Sequence, residues 1–200
     1  MTWWWRSHKG SWVIAVAFAS ALTSFVLNTL VISFPAFSGT SPFASVPIYV
    51  IAPVVPLLAL SLAQTFAAPP IYRAAARSMR WREWLLSIGV LAASMAAAIL
   101  TETMGWSHWQ EYMRSLTGLL GLQLLLSPLL TYRYQAIAPV LYLFVAALGG
   151  RAADGSVNDW AWLIAPQISS WQFAQSIALL VIGSVIAVRY SGRTMVMAER

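Results

Sequence analysis

The sequence contains no cysteine, and only 9% of its 200 residues are charged. The absence of cysteine excludes disulfides, thiolate metal sites and thiol nucleophiles. The shortage of charge excludes an ordinary soluble domain, in which about 25% of residues are charged. Sixty per cent of the residues are apolar and the mean hydropathy is +0.70, which is more apolar surface than a water-soluble fold of this length can bury. We therefore expect residues 1–200 to form a single, all-α transmembrane domain.

Catalytic and metal-binding motifs are also missing. The chain has no glycine-rich phosphate loop, no paired-histidine zinc motif and no glycine-flanked serine nucleophile. Its two histidines, His8 and His108, are predicted on opposite sides of the membrane. Glu102, His108 and Glu111 cluster in one predicted loop, where a metal or catalytic site is one interpretation and a solvated loop is the commoner one. We expect no catalysis, no metal and no cofactor bound by this chain.

Six apolar stretches dominate the chain, and we expect each to form a transmembrane helix. The first two have about the 20 residues needed to cross a bilayer, and the other four are shorter. The fourth and fifth are joined by only four residues, which predicts a tight helical hairpin and leaves five spans possible. Pro47, Pro53 and Pro56 are expected to kink the second span. The stretches are residues 12–34, 46–68, 84–100, 116–131, 136–149 and 173–188.

The net charge of +6 is distributed unevenly over the predicted loops. With the amino terminus in the cytoplasm, ten of the twelve basic residues fall on the cytoplasmic side, and only Arg114 and Arg151 fall outside. This asymmetry is the positive-inside pattern, and it explains the charge without a nucleic-acid partner. Tryptophans at the predicted span ends fit an interfacial aromatic belt. We expect a multi-pass protein of the cell membrane, in contact with lipids, with both termini in the cytoplasm.

Polar residues at membrane depth are candidates for lining a substrate path, and the alternative for each is an interhelical hydrogen bond. No charged residue or histidine lies near the middle of a predicted span, where it would mark a proton relay or an ion-coupled carrier. A transporter built in this way needs another energy source, and a separate cytoplasmic ATPase is the obvious one. The candidates for the path are Asn28, Gln64, Gln123 and Gln175.

Three segments outside the spans carry further information. Residues 1–11 combine three tryptophans with basic side chains, which is typical of a segment lying in the membrane interface. Residues 71–84 follow two prolines, have high helix propensity and contain four arginines, three of which share one helical face. The second half of the outer loop, residues 160–171, is apolar and aromatic, and we expect it to fold back into the membrane surface.

This layout resembles the membrane subunits of type-2 ABC exporters, a permease family that includes lipid, polysaccharide, drug and antimicrobial-peptide exporters. The resemblance lies in the topology: six spans, both termini inside, an amino-terminal interfacial helix, a coupling helix between spans two and three, and re-entrant helices between spans five and six. It implies a second permease subunit, identical or different, and a cytoplasmic ATP-binding subunit that carries ATP and Mg. The cargo it implies is an amphiphilic, drug-like, peptide or lipid molecule.

The resemblance assigns the coupling role to residues 71–84. Four arginines would supply the docking charges, and three other side chains would pack in a groove of the ATPase. Anionic lipid headgroups are the alternative partner of the same arginines. The implied contacts with the ATPase are Tyr72, Arg73, Arg77, Met79, Arg80, Trp81 and Arg82.

Two other classes of function stay open at this point. A substrate-binding membrane subunit of a vitamin importer also has about six spans, and Ala17 and Ala21 resemble the small-residue docking face of such proteins. A membrane enzyme or an assembly factor would depend on Glu102, His108 or Glu111.

Overall fold

The computed structural model describes residues 5–6, 8–35, 43–67, 76–152, 154, 156–165 and 169–190, and for residues 67, 76–80 and 190 it describes the backbone alone. Within this part of the chain the fold is mostly helical. The helices are α1 (Gly10–Val26), α2 (Ile48–Ile51), α3 (Val54–Ala67), α4 (Ala76–Thr103), α5 (Trp109–Leu125), α6 (Ile137–Gly149) and α7 (Ser170–Tyr190), with a 3₁₀ helix at Asp159–Ile164. Two strands, β1 (Val31–Pro35) and β2 (Phe43–Pro47), form an antiparallel pair between α1 and α2.

Three helical segments of the described residues are long and apolar enough to cross a membrane: Ile48–Phe66, Trp81–Thr103 and Ser170–Arg189. Two further apolar helices, α1 and α6, are shorter. The prediction of a helical membrane protein is therefore supported, whereas the prediction of six spans is not. Each of the six predicted stretches does overlap a helix, but in the first of them the chain leaves the helix well before the predicted end.

The two-stranded sheet departs from the predicted all-α fold. The first span was expected to run to residue 34, but α1 ends at Val26 and β1 begins at Val31. In the sheet Val31 lies opposite Pro47, and Pro35 lies opposite Phe43. β-Branched residues favour extended backbone, and a proline at the end of each strand prevents a helix from continuing through it. Apolar composition alone therefore overestimated the length of the first span.

The proline kink predicted in the second span is confirmed. Helix α2 ends at Ile51, and α3 begins at Val54, directly after Pro53. Because Pro56 has no N–H, it cannot donate to the carbonyl of Ala52 as a regular helix residue would. That carbonyl accepts instead from the N–H of Val55 at 3.0 Å and from the hydroxyl of Ser20 on α1 at 2.9 Å. A backbone donor and a side chain from a neighbouring helix thus both satisfy the group that the proline frees.

Helix α5 lies at the centre of the bundle and contacts each of the other α-helices that the structure describes. Its most extensive contact is with α7, and the two backbones approach closely where Gly121 faces Gly183. Helix α1 packs along α4, and its small residues Ala17 and Ala21 are fully buried. Small residues are what allow helix axes to come this near.

The apolar half of the loop between α6 and α7 packs onto the bundle, and its expected return into the membrane surface stays a prediction. Residues 161–165 of this loop are buried, and the ring of Trp162 occupies the space beside Gly118 of α5. At the start of the loop Arg151 pairs with Val157 in an isolated antiparallel bridge. The first residues, 1–4 and 7, and the stretch 166–168 lie outside the described part, so the predicted interfacial helix and the end of the loop stay predictions.

Candidate functional site

Two charged side chains of the described residues are buried in the bundle, and the sequence predicted both to lie outside the transmembrane spans. Glu83 on α4 is 5% exposed and Arg114 on α5 is 0% exposed. Charges buried in this way are rare in membrane proteins and mark functional or organising positions. They occupy different regions: Glu83 lies near the end of the bundle that carries Arg82 and Arg133, hereafter the basic end, and Arg114 contacts the outer loop.

Glu83 lines a small polar cavity at the basic end, hereafter the Glu83 pocket. Helices α3, α4, α5 and α7 and the turn before α6 all contribute to its wall. The volume available inside is about 20 Å³, which accommodates a water molecule or two, whereas sites for drug-sized ligands occupy roughly 300–1,000 Å³. The lining residues are Gln64, Glu83, Trp84, Ser87, Leu124, Ser127, Tyr132, Gln135 and Ala187.

Hydrogen bonds join Glu83 to two other parts of the wall. The hydroxyl of Tyr132 lies 2.9 Å and 3.0 Å from the two carboxylate oxygens of Glu83 and donates to this group. The hydroxyl of Ser61 on α3 donates to the backbone carbonyl of Tyr132. Because α3, α4 and the turn at Tyr132 meet through these bonds, the pocket is a junction between helices as well as a cavity.

Three polar atoms in the wall have no hydrogen-bond partner in the protein. They are the side-chain oxygen Oε1 of Gln64, the hydroxyl Oγ of Ser127 and the indole Nε1 of Trp84. Gln64 and Ser127 are 4% and 7% exposed, so bulk water does not reach them freely. Buried polar atoms are nearly always satisfied by protein, water or a ligand, which makes this pocket the best candidate site among the described residues.

A sequence signal for Glu83 was present in the spacing of polar residues along α4. Glu83, Ser87, Ser94 and Thr101 follow one another at intervals of four, seven and seven residues, and all four are buried. Intervals of four and seven repeat one face of a helix. The hydroxyl of Ser94 reaches the carbonyl of Ala17 on α1 at 3.4 Å. The sequence placed Glu83 in the coupling segment, residues 71–84, because the third span was predicted to begin after it.

The four predicted path residues do not form one path. Gln64 lines the Glu83 pocket, and Gln123 is buried on α5 one helical turn before Ser127, with both side-chain polar atoms unpartnered. Gln175 lies twelve residues before the pocket residue Ala187 on α7, which corresponds to about 18 Å along a helix. Asn28 lies in the turn after α1 and is not part of the wall. The pocket therefore contains one of the four.

The predicted coupling segment is only partly described. Tyr72 and Arg73 lie outside the described residues, and for Arg77, Met79 and Arg80 only the helical backbone is described. The ring of Trp81 is 53% exposed and stacks on Trp84 with 4.6 Å between the ring centres. The sequence predicted a coupling helix and a third span as separate elements. In the structure one continuous helix, Ala76–Thr103, covers the third span and the described part of the coupling segment. Its first turns contain good helix formers and neither glycine nor proline.

Arg114 fastens the outer loop and α7 to the central helix. Its guanidinium donates to the carbonyls of Leu163 and Ala165 at 3.3 Å and 2.9 Å and to Oε1 of Gln172 at 2.9 Å. The sequence predicted Arg114 as a loop charge because the fourth span was expected to begin at residue 116. The helix starts earlier, at Trp109, and its surroundings are protein rather than lipid, so it tolerates a charge that forms hydrogen bonds.

A tight turn orders the exposed tip of the same loop. The carboxylate of Asp154 accepts hydrogen bonds from the hydroxyl of Ser156 at 2.6 Å and from its N–H at 2.9 Å. These hydrogen bonds, the hydroxyl one first, lower the pKa of Asp154 below its ordinary value.

The cluster of Glu102, His108 and Glu111 is not assembled as a site of three groups. His108 Nδ1 lies 3.5 Å from Glu111 Oε1, and the imidazole ring stacks on Tyr49 with 4.7 Å between centres. Glu102 is exposed near the end of α4. No group of three histidine, aspartate or glutamate residues in the described part could hold a metal, so the metal interpretation of this cluster is not supported there.

Comparison with models of known protein families, with curated proteins and with solved structures finds no match to this chain. The fold and the Glu83 pocket are therefore interpreted from their own geometry and chemistry.

Proposed function

We propose that this protein is the permease subunit of an ATP-driven transporter of the type-2 ABC exporter class, and that residues 71–84 receive force from a cytoplasmic ATP-binding subunit. The observation that supports the proposal most is the continuity of α4. This helix begins in the basic segment at Ala76 and ends at Thr103, a length of about 42 Å at 1.5 Å per residue. A displacement of Arg77 or Arg80 by a partner would therefore move Glu83, one or two turns further along the same rigid element.

The proposal also includes the orientation of the protein in the membrane. The basic end of the bundle, which carries the exposed Arg133 and the half-buried Arg82, faces the cytoplasm of a cell membrane, and both termini lie there as well. The outer loop with Asp154 faces the exterior. ATP and Mg are bound by the partner subunit and not by this chain.

A second permease subunit completes the transporter in this proposal. The Glu83 pocket, at about 20 Å³, is too small for an amphiphilic drug, peptide or lipid, so the cargo passes between two permease subunits when they rearrange. Helix α7 supports this arrangement because its apolar face is largely uncovered: Trp171 is 64% exposed and Val181 is 55% exposed. This face contacts the second subunit, of the same or a different sequence, and lipid.

Nothing in the described residues favours the two alternatives. The docking face of a vitamin-importer subunit was expected at Ala17 and Ala21, but both residues are 0% exposed because they pack within the chain. An enzyme or assembly factor was expected to use Glu102, His108 and Glu111, which do not converge.

The test is retention of an ATP-binding partner. The tagged protein, solubilised from its native membranes in mild detergent, is expected to co-purify with an ATP-binding subunit and with ATPase activity. Replacing Arg77→Glu together with Arg80→Glu is expected to remove the partner, because the charges at the contact change sign. Arg133→Glu is the matched control, since Arg133 is an exposed arginine of the same end. Retention of the partner by the double variant at the level of the control would overturn the proposal.

A further inference from the structure

We infer that the Glu83 pocket binds an ordered water molecule that joins three segments of the bundle. Three polar atoms of the wall hold it: Oε1 of Gln64 on α3, Nε1 of Trp84 on α4 and Oγ of Ser127 in the turn after α5. The inference does not depend on the proposed function, because the site is complete within one chain. It also does not depend on the charge of Glu83, whose carboxylate accepts from Tyr132.

The need for a ligand comes from burial. Gln64 Oε1, Trp84 Nε1 and Ser127 Oγ are all buried, and no described residue forms a hydrogen bond with any of them. A buried polar atom without a partner has lost its hydration and gained nothing in return. Ordering one water molecule costs less than leaving several such atoms unsatisfied. The folded state is therefore more stable with a polar ligand in the pocket.

The donor and acceptor groups of the wall identify the kind of ligand. The indole N–H of Trp84 only donates, and the amide oxygen of Gln64 only accepts. The ligand must therefore accept one hydrogen bond and donate another. A metal cation cannot accept a hydrogen bond, and a halide ion cannot donate one. Water does both, and the hydroxyl of Ser127 can donate to it or accept from it.

The volume of the pocket determines the size of the ligand. About 20 Å³ holds one water molecule, or two at most, and excludes larger neutral molecules. Buried water molecules typically form about three hydrogen bonds, and this wall presents one unpartnered atom for each of them. The water thus connects α3, α4 and the turn after α5, and it supplements the hydrogen bonds of Tyr132 at the same junction.

A double-mutant cycle on the purified full-length protein tests this connection. Gln64→Met and Ser127→Ala each remove one hydrogen bond to the water, so each is expected to destabilise the protein. The two side chains do not bond to each other, because Oγ of Ser127 has no partner among the described residues. Since both act through one water molecule, their effects are expected to be non-additive by roughly threefold or more in the unfolding equilibrium constant. Additive effects, measured by denaturation in one detergent, would overturn the inference.

Gln175→Met is the matched control for Gln64→Met. Oε1 of Gln175 is also buried without a partner among the described residues, but Gln175 does not line the pocket. Its combination with Ser127→Ala is therefore expected to be additive. Equal coupling in the two cycles would mean that no water specific to the pocket joins Gln64 to Ser127, and this result would also overturn the inference.

A crystal structure that resolves ordered water identifies the ligand. The full-length protein is purified and crystallised with choline as the added cation, because choline is too large for the pocket. A density peak within about 2.5–3.2 Å of Gln64 Oε1 and of Trp84 Nε1 is expected, and it is expected to stay the same when sodium replaces choline. A missing peak, or a peak that appears only with sodium, would contradict the assignment to water.

Discussion

The hydroxyl of Tyr132 bridges the two carboxylate oxygens of Glu83 at 3.0 Å and 2.9 Å, across 49 residues of sequence. Tyr132 lies in the short turn between α5 and α6, and its backbone carbonyl accepts the hydroxyl of Ser61. One residue thus joins α3 and α4 to the turn. If the first turns of α4 were displaced, the hydrogen bonds of Tyr132 would be strained before the other contacts of the bundle.

Removal of the Tyr132 hydroxyl is expected to weaken that junction. Tyr132→Phe leaves the carboxylate of Glu83 buried without this donor, and we expect a loss of about 1–3 kcal/mol in the free energy of unfolding. Tyr134→Phe is the control, because Tyr134 is 48% exposed and its change is expected to cost less than about 0.5 kcal/mol. Denaturation of both variants in the same detergent checks this. Equal stability of the two variants would show that the Tyr132–Glu83 bond contributes nothing.

The crossing of α5 and α7 is expected to be intolerant of any side chain. A Cβ atom at Gly121 would overlap the backbone of Leu179 and Leu180, and one at Gly183 would overlap the carbonyl of Gly121. Backbone atoms cannot rotate away, so Gly121→Ala and Gly183→Ala are each expected to destabilise the protein by about 1–3 kcal/mol or more through overpacking.

Gly149→Ala is the matched control for these two changes. Gly149 also lies in a helix, and nothing lies within 4 Å of a Cβ added there. Because alanine is the better helix former, this variant is expected to be as stable as the original protein. Yield and melting temperature of the three variants in detergent measure the difference. Wild-type behaviour of Gly121→Ala would mean that the two helices do not cross at this point.

The sequence alone predicted the helical membrane character of the chain and the break that proline causes in the second span. The break at Pro53 follows from ring geometry and a missing N–H, which depend little on tertiary structure. The strand Val31–Pro35 was missed because its residues are as apolar as a helix interior, and hydropathy carries no information on backbone shape.

Span boundaries were the main source of error at the candidate site. Glu83 was assigned to the coupling segment and Arg114 to a loop, both outside the spans, because hydropathy windows end where a charge appears. Both residues lie inside helices, and hydrogen bonds from neighbouring segments stabilise their buried charges. The partners are 49 or more positions away in the sequence, so a local hydropathy window does not detect them. The spacing of Glu83, Ser87 and Ser94 on one face of α4 was the one local signal for the pocket.

Arg114 is expected to hold the outer loop in its folded-back position. Arg114→Met keeps much of the side-chain volume but removes the donors to the carbonyls of Leu163 and Ala165, so the loop is expected to open more often. Protection of the amides of residues 160–165 from hydrogen exchange is expected to fall by at least roughly tenfold, for a loss of about 1.5–3 kcal/mol. Arg133→Met, at an exposed position, is expected to leave that protection unchanged. Unchanged protection in Arg114→Met would mean that the apolar contacts of Trp162 alone hold the loop.

The natural absence of cysteine makes the predicted orientation directly measurable. Single-cysteine variants Arg133→Cys and Ser156→Cys place one thiol in the turn between α5 and α6 and one at the tip of the outer loop, both at exposed positions. If the basic end faces the cytoplasm, a membrane-impermeant maleimide is expected to label Ser156→Cys in intact cells. It is expected to label Arg133→Cys only after the membrane is permeabilised. Labelling of Arg133→Cys in intact cells would reverse the orientation, and since an ATP-binding subunit has access only to the cytoplasmic side, it would also remove the basis for docking at residues 71–84.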